Sequence, residues 1–317
     1  MSGGSAGRGG WATGFMNRRY VLLDVFTDTP LTGNPLAVVL DCEGLDGERM
    51  LRIAREFNLS ETVFVLPAIN PVHTAQLRIF TPTAELPFAG HPTVGSAVLL
   101  ARRSMGDVEE FEKVLVLEEG VGPVRCGVWG RGPKQGHAIF DVPRLPVEMA
   151  APQDRDAVAG ALGLVAAEIG FENHRPSAWS AGMPVTFVPV RNLAAMSKVM
   201  PQPALWSAAF GAPVPDVAFL YTRETTGLGR HFHARMFAPT FGLTEDPATG
   251  AAAAAFAGVV QAFDTPPAGS RRIVIEQGFE MGRPSLITLE MDSEGGRLVA
   301  ARVGGDAVIV AEGVLDV

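Results

Sequence analysis

"RIFTPTAELPFAGHPTVGSAVLL", Arg78 to Leu100, has a counterpart later in the same chain: "RMFAPT" begins at Arg235, 157 residues on, and leads to "DPATGAAAAAFAGVV" from Asp246. Both stretches start with a short apolar run that ends in Pro-Thr, and both continue into a segment dominated by Ala, Gly and Val. Three more pairs keep the same order. "GNPLAVVL" at Gly33 matches "GMPVTFVP" at Gly182, "ETVFV" at Glu61 matches "DVAFL" at Asp216, and "LEEG" at Leu117 matches "IEQG" at Ile275. The offsets drift slowly, as small insertions would make them, and ordered self-similarity of this kind marks a duplicated unit.

The chain therefore divides into a tail, residues 1–15, a first half, residues 16–130, and a second half, residues 131–317, whose last strand is free to return to the first half. The tail "MSGGSAGRGGWATGF" is glycine-rich and has no apolar core of ~7–15 residues, so it reads as flexible rather than as a secretory signal. Met16 reads either as an alternative start or as the point where an added leader joins, and the sequence leaves both open. A site shared by two related halves belongs in the cleft between them, where small-molecule sites are often found.

Composition narrows the function. The 317 residues are 47% hydrophobic and 19% charged, enough for a sizeable core and unlike a disordered chain. The formal charge of −8, with acids scattered, offers no basic stripe for nucleic acid. No apolar run approaches the ~18 residues of a membrane span. Cys42 and Cys126, without paired spacing, support neither a disulfide framework nor a zinc ribbon, so a reducing cytoplasmic setting is expected.

Within each half, short runs rich in β-branched and aromatic residues read as strands: Val38–Val39, Thr62–Leu66 and Gln76–Phe80 in the first. "DGERMLRIAREF" places Met50, Ile53, Ala54 and Phe57 on one helical face, with Asp46 as the cap. "HPTVGSAVLLARR" and "DPATGAAAAAFAGVV" read as two further helices with proline in the first turn. A helix that is small-sided all round suits close packing inside a ring of strands. The expected fold is α+β: two pseudo-symmetric domains, each a barrel-like sheet around a central helix.

If both central helices aim their first turns at the cleft, their free N–H groups make facing anion sites suited to a substrate carboxylate. Asp246 stands at one start; its ordinary reading is a helix cap, but the matching place in the first half holds Gly90 and His91 instead. Glu61, before an apolar strand, is the second candidate, since a carboxyl in apolar surroundings has the raised pKa that acid–base work requires. Its bland reading is an exposed Glu. His91 is the third, either a structural donor or a proton shuttle. His231 and His233 share a strand face without a third ligand at recognisable spacing, so no metal is expected. No dinucleotide fingerprint, nucleophile elbow or phosphate loop is present. Proton transfer without a cofactor is what remains.

"GNPLAVVL", "FNLSETVFVL", "RIFTPTAELPFAGHPTVGSAVLL", "EDPATGAAAAAFAG" and "QGFEMGRPS" together resemble the PhzF-like isomerase family of phenazine biosynthesis, over nearly the whole chain from about Tyr20. The resemblance implies the diaminopimelate-epimerase-like fold. It implies Glu61 as acid/base and His91 and Asp246 as site residues. Gly90, Gly250 and Ala251 would meet the substrate at the helix starts, where the family often has Ser in place of Ala251, and Asn34, Pro35, Met183 and Pro184 would line the cleft. Epimerases of this fold use a cysteine at each helix start, places that Ala89 and Pro247 roughly occupy here, which disfavours a two-thiol racemase. In phenazine producers the implied substrate is trans-2,3-dihydro-3-hydroxyanthranilate, and family analogy implies a homodimer. The rivals are an epimerase, racemase or dehydratase of an amino or hydroxy acid using Glu61 and Asp246, and a binding protein without turnover.

Overall fold

The computed structural model describes residues 16–241 and 243–317; the expected tail, residues 1–15, lies outside them. The first half runs β1 (Asn17–Val25), β2 (Asn34–Val39), α1 (Gly47–Phe57), β3 (Thr62–Leu66), β4 (Ala75–Phe80), β5 (Glu85–Leu86), α2 (Gly90–Met105), β6 (Phe111–Glu119), β7 (Gly122–Gly130) and β8 (Gln135–Asp141). After β9 (Val147–Glu148) and α3 (Arg155–Ala161) come β10 (Ser177–Ser180), β11 (Pro184–Pro189), α4 (Leu193–Met196), α5 (Pro203–Ala209), β12 (Ala218–Thr222), β13 (Phe232–Ala238), β14 (Leu243–Asp246), α6 (Gly250–Phe263), β15 (Gly269–Gln277), β16 (Ser285–Glu294) and β17 (Arg297–Asp316).

The duplication in the sequence is a duplication of topology. In the first half β2 runs parallel to β3, β3 antiparallel to β4, β4 parallel to β6, and β6, β7 and β8 alternate. In the second, β11 runs parallel to β12, β12 antiparallel to β13, β13 parallel to β15, and β15, β16 and β17 alternate. Each sheet curls around one helix. α2 packs on β1, β2, β6, β7, β8 and β17, and α6 on β10, β11, β16 and β17. The expected α+β architecture of two sheet-wrapped helices is the one observed. β17 joins them, pairing with β16 at its start, β8 in its middle and β1 at its end. β8 lies between β7 and the shared β17 and is described here with the sheet of the first half.

Side chains repeat their duties as well. Arg78 on β4 makes a two-pronged ion pair with Glu85 on β5, and Arg235 on β13 makes the same pair with Glu245 on β14. Glu118 accepts from Ile69 N and Asn70 N, fastening the loop before β4, while Glu276 accepts from Thr226 N in the loop before β13. These bonds fix both ends of the two β-hairpins that carry the chain toward the central helices.

Small side chains let the central helices sit inside their sheets. In α6 Ala252 to Ala255 are buried, and Phe256, its one large residue before the final turn, is packed by Phe187, Phe219, Tyr221 and Phe232 at centroid distances of 4.9–5.9 Å. α1 is different: an amphipathic helix outside the sheet, capped by Asp46 through Arg49 N at 2.8 Å, with Met50, Ile53 and Ala54 buried and Phe57 edge-on to Tyr20. No helix among the described residues is long and apolar enough to cross a membrane.

Candidate active site

The two central helices meet end to end. A Cβ added to Gly90 would stand 2.7 Å from Gly250 Cα, and one added to Gly250 would stand 3.0 Å from Gly90 Cα. Only glycine at both places lets the N-termini approach this closely. α2 starts where the sequence indicates, with Pro92 in its first turn, but α6 starts at Gly250, three residues after Pro247. Pro247 is therefore not in the first turn of α6: it forms a bend after β14, and Ala248 and Thr249 connect that bend to the helix. The residues immediately ahead of the two helices are Ala89 and Thr249, which corrects the sequence assignment of Pro247 to that place. Cys42 and Cys126 are buried elsewhere, on the first half.

Asp246 ends β14 and does not cap α6. Its Oδ1 accepts from Asn34 Nδ2 at 3.0 Å and Ser60 Oγ at 3.3 Å, and its Oδ2 from Thr249 Oγ1 at 2.5 Å. Asn34 also donates to Ala248 O at 2.9 Å, so one buried amide from the first half holds the chain entering α6 of the second. Gln277 completes the support: it donates to Asp246 O and Thr249 Oγ1 and accepts from Thr249 N. Burial pushes the Asp246 carboxyl above its usual range, against the pull of its three hydrogen bonds.

Glu61 and His91 complete the cluster. Glu61 Oε2 lies 3.5 Å from His91 Nδ1, which is also 3.5 Å from Asn34 Nδ2; at that length neither contact is a good hydrogen bond. Burial, reinforced by the neighbouring Asp246 carboxylate, pushes Glu61 up. Burial alone pushes His91 down to about 3, so its imidazole is neutral. Two buried atoms of the cluster have no hydrogen-bond partner among the described residues: His91 Nε2 and Asn34 Oδ1. Buried polar atoms are rarely left so, and here they belong to the same group of side chains. Glu61 retains 18% side-chain exposure against 4% for His91, so Glu61 is on the more open side.

The other sequence candidates are placed more variably. Gly90 and Gly250 are buried at the junction and Ala251 is half-buried beside it. Pro35 opposes Asp24 in the β1–β2 ladder, next to Asn34. Met183 is half-buried against the main core, and Pro184 is exposed at the start of β11 opposite Ser180; neither joins the hydrogen-bonded cluster. Three residues that the sequence reading did not single out do join it: Ser60, Thr249 and Gln277. Ser60 and Thr249 stand beside Glu61 and Gly250 in quoted motifs, and Gln277 opens "QGFEMGRPS". Glu245, beside Asp246, is occupied by Arg235. His233 is likewise occupied, between Glu276 and Glu280. Two surface hollows, of about 400 and 520 Å³, lie on the second half and contain none of the cluster residues.

Comparison with known proteins identifies relatives of this architecture. The family model of phenazine biosynthesis-like proteins matches residues 23–313. An uncharacterized isomerase of Mesorhizobium japonicum is 51% identical over 94% of this chain and 98% of its own length. The trans-2,3-dihydro-3-hydroxyanthranilate isomerase of Pseudomonas aeruginosa is 37% identical over 93% of this chain and 98% of its own. Among solved structures, the phenazine biosynthesis protein of the PhzF family from Bacillus anthracis superposes with a TM-score of 0.84 at 25% identity, covering 95% of this chain and all of that one.

Proposed function

This chain belongs to the phenazine biosynthesis-like protein family and is an isomerase, and we propose that it moves a proton between two carbons of one small carboxylate-bearing substrate, with Glu61 taking and returning the proton. The observation that carries this reading is the convergence of Glu61, neutral His91 and Asp246 at the abutting starts of α2 and α6, with His91 Nε2 and Asn34 Oδ1 left unpartnered.

The proposed chemistry follows from the groups present. A carboxyl with a raised pKa is poised to gain and lose a proton near neutrality, which is the condition for one group to serve as both base and acid. As carboxylate, Glu61 takes a proton from a C–H bond acidified by a conjugated system or an adjacent carboxylate; the electron pair spreads into that system, and the protonated Glu61 delivers its proton to another carbon. Bonds and electrons balance without a second reagent. The first-turn N–H groups of Gly90, His91, Gly250 and Ala251 have no helical acceptor and suit the substrate carboxylate. Asn34 Oδ1 accepts from a substrate amino or hydroxyl group, and His91, kept neutral, offers Nε2 without adding charge. The trans-2,3-dihydro-3-hydroxyanthranilate turned over by the 37% identical relative has these features, and we propose a dihydroaromatic or related unsaturated acid as the substrate class.

The test is proton NMR in deuterated water with a panel of amino, hydroxy and dihydroaromatic acids, comparing wild type with Glu61→Gln. Deuterium should enter a new carbon of an isomerised acid with wild type, and the rate should drop about 10²–10⁴-fold in the variant. Equal rates in both would remove Glu61 from the reaction. Exchange with inversion at a single carbon would make the protein an epimerase instead.

A further inference from the structure

Of the buried acids that the proposed chemistry does not use, Asp24 is paired with Arg283 and Glu276 with Arg230 and His233, whereas Glu119 has no cationic partner among the described residues. Glu119 ends β6 and is 7% exposed. Among the described residues its one hydrogen-bond partner is Thr93 on α2, and its Oε2 has none. We propose that Glu119 is a positioning residue for the start of α2, and so for His91, and that it acts as a protonated carboxylic acid. The assignment of His91 rests on the function proposed above.

A count of hydrogens supports the protonated form. Thr93 Oγ1 lies 2.7 Å from Ala89 O and 2.8 Å from Glu119 Oε1. A hydroxyl has one hydrogen, so it cannot donate to both. If Glu119 carries a proton, it donates to Thr93 Oγ1, Thr93 donates to Ala89 O, and both contacts are satisfied in one directed chain. If Glu119 is ionised, one contact sets two acceptors against each other in a site that excludes water. Ala89 directly precedes Gly90 and His91, so the chain fastens the turn that presents the imidazole.

The second half contains a related device with the donor made permanent, reaching the residue ahead of the helix, Thr249, where Glu119 reaches the fourth residue of α2, Thr93. In the repeated "LEEG" and "IEQG", Glu119 corresponds to Gln277. The glycine after each presses on the proline ahead of the helix: a Cβ on Gly120 would meet Pro87 Cα at 2.7 Å, and one on Gly278 would meet Pro247 O at 2.6 Å. Gln277 donates from its amide to Thr249 Oγ1 at 3.0 Å, at the start of α6. A carboxylic acid can copy that donation only while protonated. The surroundings favour this state: burial pushes Glu119 up to about 8. Burial holds the thiol of Cys126 on β7 neutral far above its usual range, so it sets no charge against Glu119. Glu118, the neighbour in sequence, is directed at Ile69, Asn70 and His73.

The test needs no turnover, so its failure is distinct from failure of the proposed reaction. In a Glu61→Gln background, which removes one of the two raised carboxyls of the His91 cluster and leaves Asp246 the same in both proteins compared, glutamate carboxyl ¹³C and histidine ring ¹⁵N shifts are followed between pH 5 and 9. One buried glutamate should titrate far above the ordinary range and vanish on adding Glu119→Gln, and the His91 resonances should show a step with the same midpoint that is lost in the double variant, leaving only the step set by Asp246. The proposal is overturned if Glu119 titrates in the ordinary carboxylate range, or if His91 shifts are indifferent to it. Thermal melts of Glu119→Gln alone give an independent check: its midpoint should lose the part of the wild-type decline between pH 6 and 9, and an unchanged slope would count against the protonated form.

Discussion

Glu61 and His91 are opposite cases of one cost, the burial of an ionisable group. Glu61 holds its proton to higher pH in the folded chain than in the unfolded one, whose ordinary value is 4.5. Stability from this group is therefore full below that value and is lost as pH rises through the raised folded value. His91 is the reverse: the unfolded imidazole takes a proton near 6.5 while the folded one resists down to about 3, so stability is lost as pH falls through that window. Glu61→Gln should accordingly raise the melting temperature more at about pH 8 than at about pH 5, whereas His91→Gln should relieve the acid side only. Melts across this range decide it; parallel curves for wild type and both variants would mean that neither group is held in an unfavourable state. A stabilised, inactive Glu61→Gln would show that the fold maintains the acid at the expense of stability, as functional sites commonly do.

At the scale of elements, the butted starts of α2 and α6 set the tightest constraint. Gly90→Ala or Gly250→Ala would force a methyl into the backbone of the opposing helix, at a cost of about 1–3 kcal/mol of the kind overpacking produces. Both variants should lower the denaturant midpoint, and both should slow any reaction in which the two first turns hold one substrate. A fully stable, fully active Gly90→Ala would mean that the helix ends have room to separate. Much of this was legible in the sequence, because the repeat aligns the two helices and their small residues exclude an amphipathic surface role. Asp46 was legible as a cap because capping is local. The start of α6 was not: proline at position 247 is an ordinary first-turn signal, and only the approach of Gly90 from the other half fixes the true start at Gly250. Likewise Asn34 meets Asp246 across 212 residues, a contact no local pattern encodes, although the motif resemblance had placed both near the cleft. Thr249 and Gln277 escaped notice because their duty is to hold Asp246 and the helix entry, which periodicity does not register.

The whole molecule depends on a single strand to close its first half. β17 leaves β16, passes β8, and ends against β1, with Leu23 opposite Ile309 and Val21 opposite Glu312. Its backbone thereby covers the edge of β1 that β2 does not, and Met16 N bonds Val317 O at the seam. A second tie crosses between the halves: Arg283 donates to Gly33 O at 2.7 Å, to Thr32 O at 2.7 Å and to Asp24 Oδ1 at 2.5 Å, next to Asn34. Deleting residues 309–317 would leave that second tie in place but strip β1 of its outer ladder, exposing an unpaired edge with Val21 and Leu23 beneath it. The expected result is selective failure of the first half: proteolysis within residues 17–141, aggregation on gel filtration, and survival of the second-half fragment longer than the first. A truncated chain that elutes like wild type and melts at the same temperature would show instead that α2 and its own strands close without the end of β17, and that the β8–β17 ladder, Arg283 and the helix junction suffice to join the halves.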